Sequence, residues 1–165
     1  MTNIFRRPRA GLGRLALYLA VFVGAALALN GWIFSSGAIE WSQTLENPDW
    51  APPGGVIGAV WTGLFALMAI AAFLADRLGE PGRRTPARLA IIGLWGVCLF
   101  WTFGYFGLQS VANGFYVTVA AFVLCIPTLY LAARAAPLAA VALTPLLGWL
   151  GFALALSWAT FSLNA

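Results

Sequence analysis

Five long apolar runs dominate the chain, at 15–34, about 56–75, 89–108, about 115–133 and about 138–163. None of them contains a charged residue. A helix rises about 1.5 Å per residue, so a hydrocarbon layer roughly 30 Å thick needs about 20 apolar residues. The five runs meet that requirement, and they predict an all-α protein: an integral membrane bundle of five transmembrane helices. Helical periodicity adds little, because a helix surrounded by lipid is apolar all round. The runs are too long for barrel strands and do not alternate, which argues against a β-barrel. The first run is not read as a cleaved signal peptide: it is long, it lacks a clear cleavage site, and four more runs follow.

The connections are short, so the five helices are expected to form one domain, 15–165, behind a basic tail, 1–14. The longest connection, 35–55, carries Glu40, Glu46 and Asp49 but no Arg. It also carries Trp41, Trp50 and the pair Pro52-Pro53. A solvated linker would not normally hold two Trp. The segment is therefore expected to be an ordered flap at the membrane interface, where indole rings prefer to sit. Simple interfacial anchoring is the alternative. Arg6, Arg7, Arg9 and Arg14 precede the first run. Arg77, Arg83, Arg84 and Arg88 lie between the second and third, and Arg134 between the fourth and fifth. Five crossings put all of these on one side. The positive-inside rule then places the N-terminus in the cytoplasm and the flap and C-terminus outside, with a bacterial inner membrane as the expected location.

Composition narrows the chemistry. The chain is 62% apolar and 8% charged, with mean hydropathy +0.88, whereas soluble domains carry about 25% charged residues. This excludes an ordinary cytosolic domain, a disordered chain and a nucleic-acid partner. There is no His, so the commonest metal ligand and proton shuttle is absent. Cys98 and Cys125 both lie in apolar runs and make neither a zinc site nor a disulfide framework. No Ser-His-Asp arrangement is available. The acids are assigned to loops, which leaves no carboxylate pair buried in the membrane. No phosphate loop or dinucleotide fingerprint is present. No catalytic residue, no metal and no required cofactor are expected, and a non-enzymatic role stands ahead of an enzymatic one. Gly54 and Gly58 read as close helix packing.

Aromatic residues remain. Trp61, Phe65 and Met68 share a helix face, as do Cys98, Trp101 and Tyr105, and as do Trp149, Phe152, Ala153 and Leu156. Trp149 lies about 11 residues into its run, roughly 16 Å deep and so near the bilayer midplane. An indole N–H at that depth needs a partner or a ligand. Each Trp alone reads as a space-filler between helices. The set, with a Trp-bearing flap above it, reads as a pocket for a flat apolar ligand.

These residues resemble the TspO/MBR family, the tryptophan-rich sensory proteins related to the mitochondrial translocator protein. The loop-to-helix signature W-x-x-x-L-x-x-P-x-W-x-P-P stands here as Trp41, Leu45, Pro48, Trp50, Pro52 and Pro53, followed by Val60, Trp61 and Thr62. A second signature, W-[ST]-P-x-F-F-G, is loosely matched from Trp101 through Thr102, Phe103, Gly104, Tyr105 and Phe106 to Gly107. A third is carried by Pro145, Leu147, Trp149, Ala153 and Leu156, and a final amide by Asn164. The resemblance covers about 15–165. It implies a five-helix fold, often dimeric, and a porphyrin-binding pocket beneath the first loop. It further implies that Trp50 and Trp149 correspond to a Trp pair tied to porphyrin binding and degradation, and Trp101 to another lining Trp.

The chain departs from the family pattern at three places. Two family asparagines are Cys98 and Ser157 here, and an F-P-P run is Ile57, Gly58 and Ala59. Loss of the amides removes donors that orient a polar ligand. Either the ligand is less polar than a dicarboxylic porphyrin, or the pocket has lost its original task. The expected ligand site comprises Trp50, Trp61, Cys98, Trp101, Tyr105, Trp149, Phe152, Ala153 and Ser157. The expected function is a membrane receptor or carrier for a flat hydrophobic ligand, a tetrapyrrole such as a porphyrin, in a sensory or transport role. Two alternatives stay open: a structural subunit docking to a larger membrane pigment–protein complex, and light- and oxygen-dependent porphyrin degradation. Expected partners are the small-molecule ligand, the lipid bilayer and either a second copy or a membrane complex. Leu124, Tyr130 and Arg134 satisfy a loose sterol pattern, but Tyr130 and Arg134 read more simply as interfacial anchors.

Overall fold

The computed structural model describes residues 11–165; Arg6, Arg7 and Arg9 lie outside the described residues. Six α-helices follow in order: α1 Leu12–Ser35, α2 Ala38–Gln43, α3 Gly54–Leu78, α4 Arg84–Thr102, α5 Val111–Ala135 and α6 Pro137–Leu163. A π-helical turn, Phe103–Gly107, continues α4. All but the short α2 are long and apolar enough to cross a membrane, and the chain is a helical membrane bundle. No strand occurs among the described residues.

Local sequence explains the boundaries. Pro53, in extended conformation, precedes α3, where a missing N–H costs nothing. Between α3 and α4 the chain turns through Gly82, whose φ of 89° suits glycine. The Ser110 side chain caps α5 by accepting a hydrogen bond from the Asn113 N–H at 3.2 Å. Only Ala136 separates α5 from α6, and Pro137 opens α6 at its first position. That tight hairpin makes α5 and α6 the most closely associated pair. Helices α3, α4, α5 and α6 close a ring, and α1 packs on α3.

The bundle has two unlike ends. At the Arg-rich end the helices meet through small side chains, including Ala72, Ala75, Ala87, Ala132 and Ala139, all fully buried. Small residues let backbones approach closely, which is how helices gain contact when lipid offers no hydrophobic drive. Met68, Ile91, Leu94, Leu143 and Leu146 fill the middle.

One expectation is corrected here. The acids do not all lie in loops: α3 runs past Ala75 and takes in Asp76, which is 5% exposed. Its Oδ2 accepts hydrogen bonds from the Tyr18 hydroxyl at 2.7 Å and the Arg14 guanidinium at 3.4 Å. Its Oδ1 accepts one from Arg88 at 3.2 Å. A carboxylate can be buried when its lone pairs are met by cations and donors, and here α1 and α4 supply them. Arg14 likewise belongs to the first turn of α1 rather than to the tail.

At the other end, residues 36–53 fold over the bundle. Gly37, with φ of 73°, starts α2. The Trp41 ring stands edge-on to Tyr105 at 5.2 Å. Beyond α2 the chain is tied to the end of α6: Glu46 and Asn164 exchange hydrogen bonds, and the Asn47 Oδ1 accepts from the Thr160 hydroxyl at 3.4 Å.

Candidate functional site: an aromatic cavity under the flap

A cavity of about 960 Å³ lies under this flap, at the upper end of the roughly 300–1,000 Å³ usual for small-molecule sites. Its walls are the last turns of α1, the flap, the first half of α3, the end of α4 with its π turn, the start of α5 and the second half of α6. It stops where the alanine-rich packing begins, so it occupies the flap half of the bundle.

Aromatic rings form the walls, and their placement follows from local structure. A π turn inserts one residue into the helical repeat and re-aims the side chains after it. Here it brings Tyr105 into parallel stacking on Trp101, with centroids 4.9 Å apart and planes 11° off. Phe106 stands edge-on to both. The Trp101 indole N–H donates to the Gly114 carbonyl and to the Thr118 hydroxyl, each at 2.9 Å. That ties α4 to α5 and leaves the Trp101 ring face as its contribution to the cavity. Gly114 is required by this packing: a Cβ there would lie 2.5 Å from the Tyr105 ring.

On α6 the Trp149 and Phe152 rings lie 5.2 Å apart. The Trp149 Nε1 is buried and has no hydrogen-bond partner. An unpaired N–H in an apolar surround costs about 1–3 kcal/mol; because this nitrogen is fully buried, the ring and not the N–H is what Trp149 presents to the cavity. On α3, Trp61 leans on Phe65 at 5.5 Å, and both line the cavity.

Of the residues singled out in the sequence, Trp61, Cys98, Trp101, Tyr105, Trp149, Phe152, Ala153 and Ser157 all line this one space. Trp50 does not. It is a central residue of the turn closed by the Ala51 N–H on the Pro48 carbonyl at 2.9 Å. Central turn residues project outward, so Trp50 is 51% exposed, with its ring in edge contact with Phe152 at 5.8 Å. Pro48, Ala51 and Pro52 face the cavity instead. The Ser157 hydroxyl donates to the Ala153 carbonyl at 2.8 Å, back into its own helix. Cys98 is buried in the wall at α4.

Sequence reasoning missed the amides. Asn30 of α1, and Gln43 and Asn47 of the flap, line the cavity. Asn30 could have been found: apart from Tyr18 it is the only polar side chain in the first apolar run, and a lone polar residue in a span marks a functional position. Among the described residues, no charged side chain lines the cavity. No group of three or more His, Cys, Asp or Glu capable of holding a metal occurs among the described residues.

Comparison with known proteins agrees with this architecture. The profile of the TspO/MBR family matches residues 16–163. The tryptophan-rich protein TspO of Chlorobaculum tepidum is 30% identical over 160 residues, covering 93% of this chain and 99% of the relative. The protein CrtK of Rhodobacter capsulatus is 32% identical, covering 91% and 94%. The human translocator protein is 27% identical, covering 91% and 86%. With a family match over nearly the whole chain and five membrane-length helices around an aromatic cavity, this protein belongs to the TspO/MBR family.

Proposed function

We propose that the protein is a membrane receptor or carrier that binds a flat hydrophobic ligand of the tetrapyrrole type in the cavity under its flap. The carrying observation is the convergence of Trp61, Trp101, Tyr105, Trp149 and Phe152 on one space of about 960 Å³. Flat rings bind through stacking and edge contacts worth about 0.5–1.5 kcal/mol each beyond area burial. The Asn30 and Gln43 amides on the cavity wall supply directional contacts. The flap covers the cavity and gates entry, and the closely packed Arg-rich half closes the far side. The name of the human relative, translocator protein, fits a carrier role in a membrane. Light- and oxygen-dependent breakdown by a Trp50–Trp149 pair draws less support, because Trp50 stands outside the cavity wall.

The proposed setting is a bacterial inner membrane with the Arg-rich end in the cytoplasm. Arg14, Arg77, Arg83, Arg84, Arg88 and Arg134 all lie at that end, as the positive-inside rule requires. A periplasm-active reporter fused to the C-terminus tests it: activity is expected, and a silent fusion matched by an active cytoplasmic reporter would reverse the orientation.

Ligand binding is tested by titrating a porphyrin into the detergent-solubilised protein and following Trp fluorescence. Saturable quenching at micromolar ligand is expected, and weaker binding by Trp149→Phe. Absence of quenching in both proteins would overturn the reading.

A further inference from the structure

The charges of this protein are sorted by position. Among the described residues, no Arg, Asp or Glu lines the cavity. The described cations sit at the opposite end of the bundle, while Glu40, Glu46 and Asp49 lie on the flap that covers the cavity. A ligand carboxylate carried inside would leave water without gaining a cation, a transfer costly enough to force neutralisation instead. The three acids of the flap add like-charge repulsion against a carboxylate approaching that face. The amides that line the cavity are neutral: Asn30 on α1 and Gln43 on the flap. They approach from two different elements, so they can orient a ligand as well as hold it.

We infer that the site selects an uncharged flat ligand bearing hydrogen-bond acceptors, such as carbonyl or ester oxygens, over the same ring system bearing free carboxylates. This rests on the binding role proposed above and specifies the charge state of what is bound. Asn30 and Gln43 are the specificity-determining donors: each offers an N–H to a neutral acceptor and neither compensates a full negative charge. The acidic flap adds selection at the entrance.

The test compares protoporphyrin IX with its dimethyl ester, which share one macrocycle and differ in two carboxylates. Each is titrated into the solubilised full-length protein and referenced to its partition into protein-free micelles. The ester is expected to bind about tenfold or more tightly, since each tenfold corresponds to about 1.4 kcal/mol. Asn30→Leu is expected to weaken the ester several-fold. Gln43→Arg, which places a cation on the wall, is expected to narrow the gap by improving the free acid. Equal affinities, or tighter binding of the free acid by the unmodified protein, would overturn this inference and leave the binding role standing. Failure of both porphyrins to bind would overturn the binding role and this inference with it. The comparison in the unmodified protein needs no variant to fold.

Discussion

Glu46 in the flap and Asn164 after α6 lie 118 positions apart and exchange two hydrogen bonds. The Glu46 N–H donates to the Asn164 Oδ1 at 3.0 Å, and the Asn164 Nδ2 donates to the Glu46 carbonyl at 2.8 Å. The same Nδ2 donates to the Thr160 carbonyl at 2.8 Å, which satisfies one of the terminal acceptors of α6. One amide thus reads the flap backbone as a neighbouring strand would, and it fixes the lid to the helix that carries Trp149.

Asn164→Ala removes that clasp. The bonds are solvent-accessible, so each contributes toward the low end of about 0.5–1.5 kcal/mol, and their joint loss costs about 1–2 kcal/mol in flap closure. The expected result is hydrogen exchange about 5–30-fold faster for the protected amides of 44–51, with α3 to α6 unaffected. Unchanged exchange there would show that the turn at Pro48 and the Trp41–Tyr105 contact hold the flap without Asn164.

Trp149→Phe separates stability from binding. The substitution removes an N–H that is buried without a partner, so the relief of about 1–3 kcal/mol offsets the smaller ring's lost contacts. Thermal unfolding in detergent is expected to be nearly unchanged, while porphyrin affinity falls. Trp95 is the control. Its Nε1 is also buried and unpartnered, but its ring stacks on Phe22 at 4.4 Å, away from the cavity wall. Trp95→Phe is expected to leave porphyrin affinity unchanged. Equal loss of binding in the two variants would assign the effect to packing.

The five spans were legible because lipid imposes a length rule that composition alone reveals. The helix-face grouping of Cys98, Trp101 and Tyr105 was legible from spacing, but the π turn that stacks Trp101 on Tyr105 was not, since one inserted residue leaves no mark in apolar content. Trp50 was misplaced for a related reason: its position in the flap signature says nothing about which way a turn points its side chain. Asp76 was assigned to a loop because the apolar run ends at Ala75. Only the approach of Arg14, Tyr18 and Arg88, on other helices, makes a buried carboxylate tolerable there. The site amides followed the same pattern. Spacing found the rings, whereas Asn30, Gln43 and Asn47 come from two elements whose approach is a tertiary fact.

Gly114→Ala tests the support of the aromatic wall. The added Cβ would meet Tyr105 Cδ2 at 2.5 Å and two further ring atoms at 3.3 Å. Tyr105 cannot simply swing away, because Trp101 stacks on one face and Phe106 stands against it. Overpacking of this kind costs about 1–3 kcal/mol. A lower unfolding temperature is expected together with weaker porphyrin binding, because the displaced ring moves into the cavity. Tyr105→Ala combined with Gly114→Ala is expected to restore most of the stability and none of the binding. If Gly114→Ala leaves both unchanged, α5 and the π turn are less closely packed than the geometry requires.

Asp76 joins α1, α3 and α4 at the end opposite the flap, and its two cations differ in environment. The Arg14 side chain is 53% exposed and pairs at 3.4 Å, whereas that of Arg88 is 32% exposed and pairs at 3.2 Å. An exposed pair contributes about 0–1 kcal/mol and is screened by salt, so Arg14→Ala is expected to have a small effect that fades at high ionic strength. Arg88→Ala removes the less exposed partner and is expected to destabilise more, with less salt dependence. Asp76→Ala unpairs both guanidiniums and the Tyr18 hydroxyl at once. Both guanidiniums retain access to solvent and rehydrate in part, so the cost falls below the roughly 3–5 kcal/mol of a fully buried pair, at about 2–4 kcal/mol. The double variant Asp76→Ala with Arg88→Ala is expected to be less destabilised than the sum of the single variants, because the second change removes a cation already left without its carboxylate. Thermal unfolding of the four proteins in one detergent at low and high salt measures each term. Strict additivity would mean that the Asp76–Arg88 pair between α3 and α4 contributes nothing, leaving Arg14 and Tyr18 of α1 as the partners that matter.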